Sequence, residues 1–536
     1  MHSCQMSIAA LMLMAAAPSV FARITPGMIE ASKIEYPATL TYAASNPQGY
    51  PKVFHVAGAI QARRQECATS SMLTSFLEGR VRHVAAVIDM DDDQLRALVP
   101  PVGQPVVYGL GMSLDPHNTV LRWAGYKNPR CVIGKDNVVY PNETHPDDGS
   151  GWSGPGNQKC YFRARAAGFA YGWLESQLAA LADCYALTGE QRYAHAAAVL
   201  LDAIAPCYAA DVRGPLDYPI AKGDEDCGGR LDRPYYQVAR GLKNYVWCFE
   251  AIMPSGELGK PSLTAPGNTM FDNVAKNLLF NGGIYCLGFA LGGTQLHNGH
   301  ADYVRGTAAV GIALGIPKMV EPLLDKALGL QAMLDVNIDR DGFYVESSHG
   351  YSQHTLSLYM DLADLLDAAA RQGIPGAEPL YDEPAFFNLI FRYFDRAEVG
   401  GRLPEVGDGG PDRLATIPTN LRAPVTGKST KNTALDKQLR DAWYLWSRVR
   451  KPEYKQRCAE FLRAAYGDNP DVPAYSFLLY RISQDDVEAL AATPAPADYF
   501  AGESVLYGGK GYAILRGGTP SASHGLQLLF GALHNH

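Results

Sequence analysis

AYGWLESQLAALADCYALTGEQRYAHAAAVLLDAIA, Ala170 to Ala205, is the stretch that decides the fold. Leu174, Leu178, Leu181 and Tyr185 recur at helical spacing and mark one apolar face. Gly189 supplies a stop, and Tyr193, Ala197, Leu200 and Ile204 resume the same spacing. A link this short predicts two antiparallel helices, a helical hairpin.

Working outward, the motif recurs. Leu323, Ala327, Leu330 and Leu334 form one stripe, and Leu358, Leu362, Leu365 and Ala369 another. Phe387, Phe391 and Phe394 follow Pro384, a residue suited to a first helical turn. Repeated hairpins imply a bundle, a solenoid or a closed α/α toroid. The lack of a fixed-period motif counts against the solenoid. Near Gly502 the pattern changes: YAILR (Tyr512–Arg516) and LQLLFG (Leu526–Gly531) are short and β-prone. Two strands do not make a domain, so the chain reads as starting an antiparallel β-sheet domain and then breaking off. The fold class expected is mainly α, with an α/α toroid domain over 23–500 and an incomplete β-sheet domain over 501–536. The part before 160 is expected to be irregular and helical.

The 536 residues have ordinary globular composition, 47% hydrophobic and 19% charged, and a formal net charge of −8. That charge argues against a nucleic-acid partner. SIAALMLMAAAPSVFA, Ser7 to Ala22, reads as a signal peptide (1–22), which predicts export to the periplasm or beyond. No later run approaches a membrane span. Ten cysteines, nine once Cys4 is removed with the signal, include no CxxC pair. Cys131 and Cys160 flank one loop and are the candidate disulfide. DMDDDQ (Asp89–Gln94) lacks the Gly and Glu of a calcium loop and reads as a solvated acidic turn.

Three stretches carry chemistry. In LHNGHADYVRG, His297, Asn298 and His300 lie just before a helix, where Asn is a favoured cap and where an amide with flanking imidazoles can neutralise a carboxylate. In DGFYVESSHGYSQHTL, a strand-like run from Phe343 to Val345 precedes a helix beginning near Tyr351, with His349 and His354 alongside. A Tyr beside cations is usable as a general acid or base. In the final HNH, His534 and His536 would face one side of a strand.

These pieces together resemble the heparinase II/III-like polysaccharide lyases. Asn128–Trp152 resembles the loop before that family's first toroid helices, and Ala170–Ala205 its first hairpin. DGFYVESSHGYSQHTL resembles its tyrosine segment, and GRLPEVGDGG (Gly401–Gly410) a loop on the cleft side. GGKGYAILRGG (Gly508–Gly518) resembles the start of its first sheet. The resemblance implies β-elimination on a uronic-acid-containing polysaccharide. Asn298 would neutralise the substrate carboxylate, helped by His297 or His300, because Gly299 stands where members with an Asn-His pair carry the histidine. Tyr351 and His534 would serve as acid and base, and His349, His354 and Arg305 as candidate substrate contacts. Arg402 and Arg413 fit surface charges equally well. His536 matches a ligand to a structural zinc whose other ligands lie beyond this chain. The alternatives are a glycoside hydrolase using Glu405 and Asp408, whose product would carry no double bond, and a non-catalytic polyuronate-binding protein.

Overall fold

The computed structural model describes residues 25–104, 106, 114–209, 235–293, 295–346, 349–395, 433–496, 504–509, 511–519 and 522–529. Four helices open it: α1 (Pro26–Ser32), α2 (Ala57–Glu66), α3 (Ser71–Val84) and α4 (Asp92–Leu98). Two small antiparallel sheets follow, β1 (Arg122–Trp123), β2 (Val132–Ile133) and β3 (Val139–Tyr140), then β4 (Trp152–Ser153) with β5 (Lys159–Cys160). The acidic stretch at Asp89–Gln94 is a largely exposed turn at Asp89 that leads through the N-cap Asp91 into the first turn of α4. Asp91 accepts the Gln94 backbone N–H while the Gln94 side chain caps Asp91 in return. Cys131 and Cys160 are free thiols, which corrects the disulfide expectation.

The hairpin at Ala170–Ala205 is as expected. Helix α5 (Phe162–Thr188) ends at Gly189 in the left-handed region (φ 74°), and α6 (Gln191–Ala209) follows at once. All eight stripe residues are buried. Next come α7 (Tyr235–Ile252), α8 (Met270–Gly292), α9 (Asn298–Leu314), α10 (Pro317–Leu324) and α11 (Leu330–Asn337). The 323–334 stripe is broken between α10 and α11. Asp325 accepts the N–H groups of Ala327 and Leu328, and a side chain at Gly329 would collide with the Leu323 carbonyl. The pattern was apolar at the right spacing, but Asp325 ends the helix. Helices α12 (His349–Arg371), α13 (Pro384–Asp395), α14 (Thr433–Arg448), α15 (Pro452–Tyr466), α16 (Ser476–Leu479) and α17 (Gln484–Ala491) complete the helical part. Among the described residues only Met270–Gly292 has the length and apolar character of a membrane span, and 56% of that window is buried inside the protein.

The helices form two layers, and cross-links fix the direction of the inner one. Tyr245 of α7 bonds Glu175 of α5, and Trp247 reaches Asp183 further along. Arg240 and then Lys243 of α7 meet His354 and then Asp361 of α12. Tyr444 and then Arg448 of α14 meet Met360 and then Asp364 of α12. Along each pair both numbers rise together, so α5, α7, α12 and α14 run parallel. Helix α9 joins them through Asp302 and Arg305. Helices α6, α8, α10, α13 and α15 pack against this row as returns. This is the α/α arrangement expected.

The C-terminal end of the inner row is plugged. Ser476 and Tyr480 reach back to Asp183 (2.9 and 2.7 Å), which also meets Arg80 of α3. His55 sits edge-on to Trp247 and Tyr480. Glu250, at the end of α7, accepts the N–H groups of Lys52, Val53 and Phe54. The opposite, N-terminal end is the candidate mouth. Beside it, β6 (Val505–Tyr507), β7 (Tyr512–Thr519) and β8 (Ala522–Leu529) form an antiparallel sheet. This sheet docks on the segment joining α11 to α12: Gly509 N–H donates to Asp341 and Tyr507 packs edge-on to Phe343. Phe343 to Val345 contributes one isolated bridge, Ile338 to Tyr344, where a strand was expected.

Candidate active site

Parallel packing places the first turns of α7, α9 and α12 at one end. That brings Asn298, the first residue of α9, to the same mouth as His349 and Tyr351 in the first turn of α12. The side chains of His349 and Tyr351 lie outside the described atoms, as do residues His534, His536, Arg402, Arg413, Glu405 and Asp408.

Helix α9 starts differently from expectation. His297, not Asn298, is the N-cap: its Nδ1 accepts the Gly299 N–H at 2.9 Å. A side chain at Gly299 would run into the His297 ring, so the missing Cβ is what lets the ring fold over the helix start. With Nδ1 committed as an acceptor, Nε2 carries the proton. Burial holds the His297 pKa below its ordinary value. His297 therefore offers a neutral N–H donor beside the half-buried Asn298 amide, not a cation. Asn298 is then free of the capping role that its position suggested.

His300 turns the other way. It is 1% exposed and its Nε2 meets the Leu328 carbonyl at 3.0 Å. Burial lowers its pKa too. Of the two histidines proposed to assist Asn298, His297 faces outward and His300 faces the core.

Below the rim runs a chain of charges. Asp302 is fully buried; its Oδ2 accepts Arg240 Nε and Nη2 (3.0 and 2.9 Å) and its Oδ1 accepts Arg305 Nη2 (2.6 Å). Arg305 Nη1 continues to Asp361 (2.8 Å), whose oxygens both meet Lys243 Nζ (2.6 Å). Burial alone would raise the Asp302 pKa, but Arg305 and Arg240 hold it below its ordinary value. Arg305 is buried beneath the mouth with both Nη atoms bonded to carboxylates, while its Nε has no partner among the described residues. Arg240 and His354 are the exposed end of these charges, with side chains 39% and 34% accessible. Arg240 Nη2 approaches His354 Nε2 at 2.8 Å, which makes Nε2 the acceptor and leaves the proton on Nδ1. Sequence reading passed over Arg240. The available signal was its i, i+3 spacing to Lys243 at the start of a helix.

Three cations against two carboxylates leave this cluster with a surplus of one positive charge. The parallel inner helices add the positive ends of their dipoles at the same mouth. Glu346, whose charge acts on the buried Tyr344 behind Asn298, brings a third carboxylate to the same end, so the mouth carries charges of both signs. Tyr344 is buried behind Asn298, its hydroxyl facing the Asn298 N–H and the Thr355 hydroxyl at longer than hydrogen-bond reach. Its pKa is pushed up to about 12, chiefly by burial. Among the described residues no group of three His, Cys, Asp or Glu side chains is placed to hold a metal ion.

Solved structures to which the chain is similar include polysaccharide lyases. An alginate lyase from Bacteroides ovatus aligns over 81% of this chain and 100% of its own, at 14% identity and a TM-score of 0.42. A heparinase III aligns over 86% of this chain and 60% of its own, at 12% identity and a TM-score of 0.41. Alginate lyase A1-III from Sphingomonas species A1 aligns over 65% of this chain and 76% of its own, at 16% identity and a TM-score of 0.30. No family model and no curated protein matches the chain.

Proposed function

We propose that the protein is a polysaccharide lyase that cleaves a uronic-acid-containing polysaccharide by β-elimination. The observation that carries the reading is the convergence of Asn298, His297 and the Tyr351 turn on one end of the parallel helices. The proton on the carbon next to a uronate carboxylate is barely acidic while that group is charged. The Asn298 amide and the His297 Nε2–H are two donors suited to an enolate-like oxygen as charge develops on it. A base removes the proton, the bond to the glycosidic oxygen in the β position breaks, and an acid protonates that oxygen. The sugar left behind carries a carbon–carbon double bond. Tyr351 and His534 are the proposed acid and base. His349 and His354 are proposed as substrate contacts.

The acidic polysaccharide is the only partner proposed. His536 is proposed as one ligand of a structural zinc. Export to the periplasm or beyond is part of the same proposal and rests on Ser7 to Ala22. The test is to incubate the protein with alginate, heparin and chondroitin sulfate and follow the ultraviolet absorbance of unsaturated uronate. New reducing ends without that chromophore would indicate hydrolysis, and binding without either product a non-catalytic protein.

A further inference from the structure

Asn337, the last residue of α11, stands where three parts of the candidate site meet. Its side chain is buried, and its Nδ2 donates to the Leu296 carbonyl at 2.5 Å and to the Tyr359 hydroxyl oxygen at 3.0 Å. Leu296 lies in the link between α8 and α9, directly before the His297 cap. Tyr359 lies on α12, about two turns after Tyr351. The backbone of Asn337 is used as well. Its carbonyl accepts the Val345 N–H at 2.7 Å, where the chain leads toward His349.

The other end of α11 also reaches the start of α9. The Leu328 carbonyl, just before α11, meets His300 Nε2 at 3.0 Å in the first turn of α9. Helix α11 is therefore a brace, tied to the α9 start near both of its ends. The tie at Asn337 bears on the site more directly. The Leu296 carbonyl shares a peptide plane with the His297 nitrogen, so holding that oxygen fixes how the chain enters the cap. Turning that plane would move the His297 ring and the Asn298 amide together.

We propose that Asn337 is a positioning residue for the elimination. Through Leu296 it sets the orientation of the His297–Asn298 turn, and through Tyr359 it sets that turn against the helix that carries Tyr351. The effect on rate rests on the lyase reading, whereas the effect on the turn does not. Donors aimed at an oxygen on which charge develops act chiefly in the transition state, so misplacing them lowers kcat and spares KM.

The experiment pairs amide hydrogen exchange with the kinetics of unsaturated-product formation on alginate, heparin and chondroitin sulfate, comparing wild type with N337A and Y359F. In N337A, exchange at Gly299 and Ala301 should accelerate about tenfold while α5 and α14 stay as in wild type, and kcat should fall at least about tenfold at an unchanged KM. Y359F removes one hydroxyl and keeps the ring, so it carries the test should N337A fold poorly. It should show the same pattern at about threefold. Exchange at 295–301 equal to wild type in both variants overturns the proposal. Acceleration spread evenly over all the helices also overturns it, because that is the mark of a merely structural residue. Local loosening in the variants, with no unsaturated product from wild type, supports Asn337 as the brace of the turn and refutes the lyase reading. An active wild type whose kcat survives that loosening refutes the positioning role and leaves the lyase reading standing.

Discussion

Replacing Asp302 with Asn tests whether the charge chain beneath the mouth is structural. The carboxylate is fully buried and takes three guanidinium hydrogen bonds, two from Arg240 and one from Arg305. Asn keeps the shape but offers one oxygen and turns an NH₂ group toward a guanidinium. Three cations would then share only Asp361. Removing one partner of a buried ion pair costs about 3–5 kcal/mol, because the remaining charge stays buried and unpaired. In a chain of this size that corresponds to a fall in Tm of roughly 3–4 °C. The double variant D302N/R305M should recover about half of the loss, since Arg240 can turn to water and Asp361 keeps Lys243. The sign of the pH dependence follows from the depressed Asp302 pKa. Its contribution is present above the pKa it has in the unfolded chain and is lost as pH falls through the lower folded value, so D302N should flatten the acid limb of the stability profile. Thermal melts from acidic to neutral pH are the assay. A D302N protein melting within about a degree of wild type would refute the reasoning.

Further predictions concern the closed end and the helix start. Glu250, fully buried, has its pKa pushed up to about 7, with loss of solvation outweighing the three backbone donors that favour the charged form. A carboxyl with a raised folded pKa stabilises the protein below its unfolded pKa and loses that contribution as pH rises through about 7. The fall in stability between about pH 4.5 and 7 should therefore be reduced in E250Q, which also loses about 1–3 kcal/mol by facing an NH₂ toward N–H donors. R448M should cost about 3–5 kcal/mol in urea titrations, because Arg448 holds both oxygens of the buried Asp364. G299A should displace the His297 ring and cost about 1 kcal/mol in a thermal melt, the value of a lost N-cap, with H297A matching it.

The sequence made the layers legible but not their direction. Stripes such as Leu174–Tyr185 and Leu358–Ala369 are set by burial, and burial is what periodicity records. Asp325 and Gly329 broke one apparent stripe through side-chain hydrogen bonding and a close backbone approach, neither of which hydrophobic spacing can express. At the site, Asn298 and Tyr351 were found by motif, and the structure adds the parallel helices that bring their backbones to one end. The different orientations of His297 and His300 depend on which face of the first turn each occupies, and the absent Cβ at Gly299 was the overlooked signal. Arg240 was missed because its partners, Asp302 and His354, come from helices far away in sequence.

The most direct test of the central claim compares wild type with Y351F and N298A on alginate and heparin, recording ultraviolet absorbance and reducing ends together. The account predicts that wild type generates both signals in step. Y351F and N298A should each lose at least about a hundredfold in kcat, with melting temperatures unchanged. Reducing ends without absorbance, or Y351F and N298A proteins as active as wild type, would contradict it.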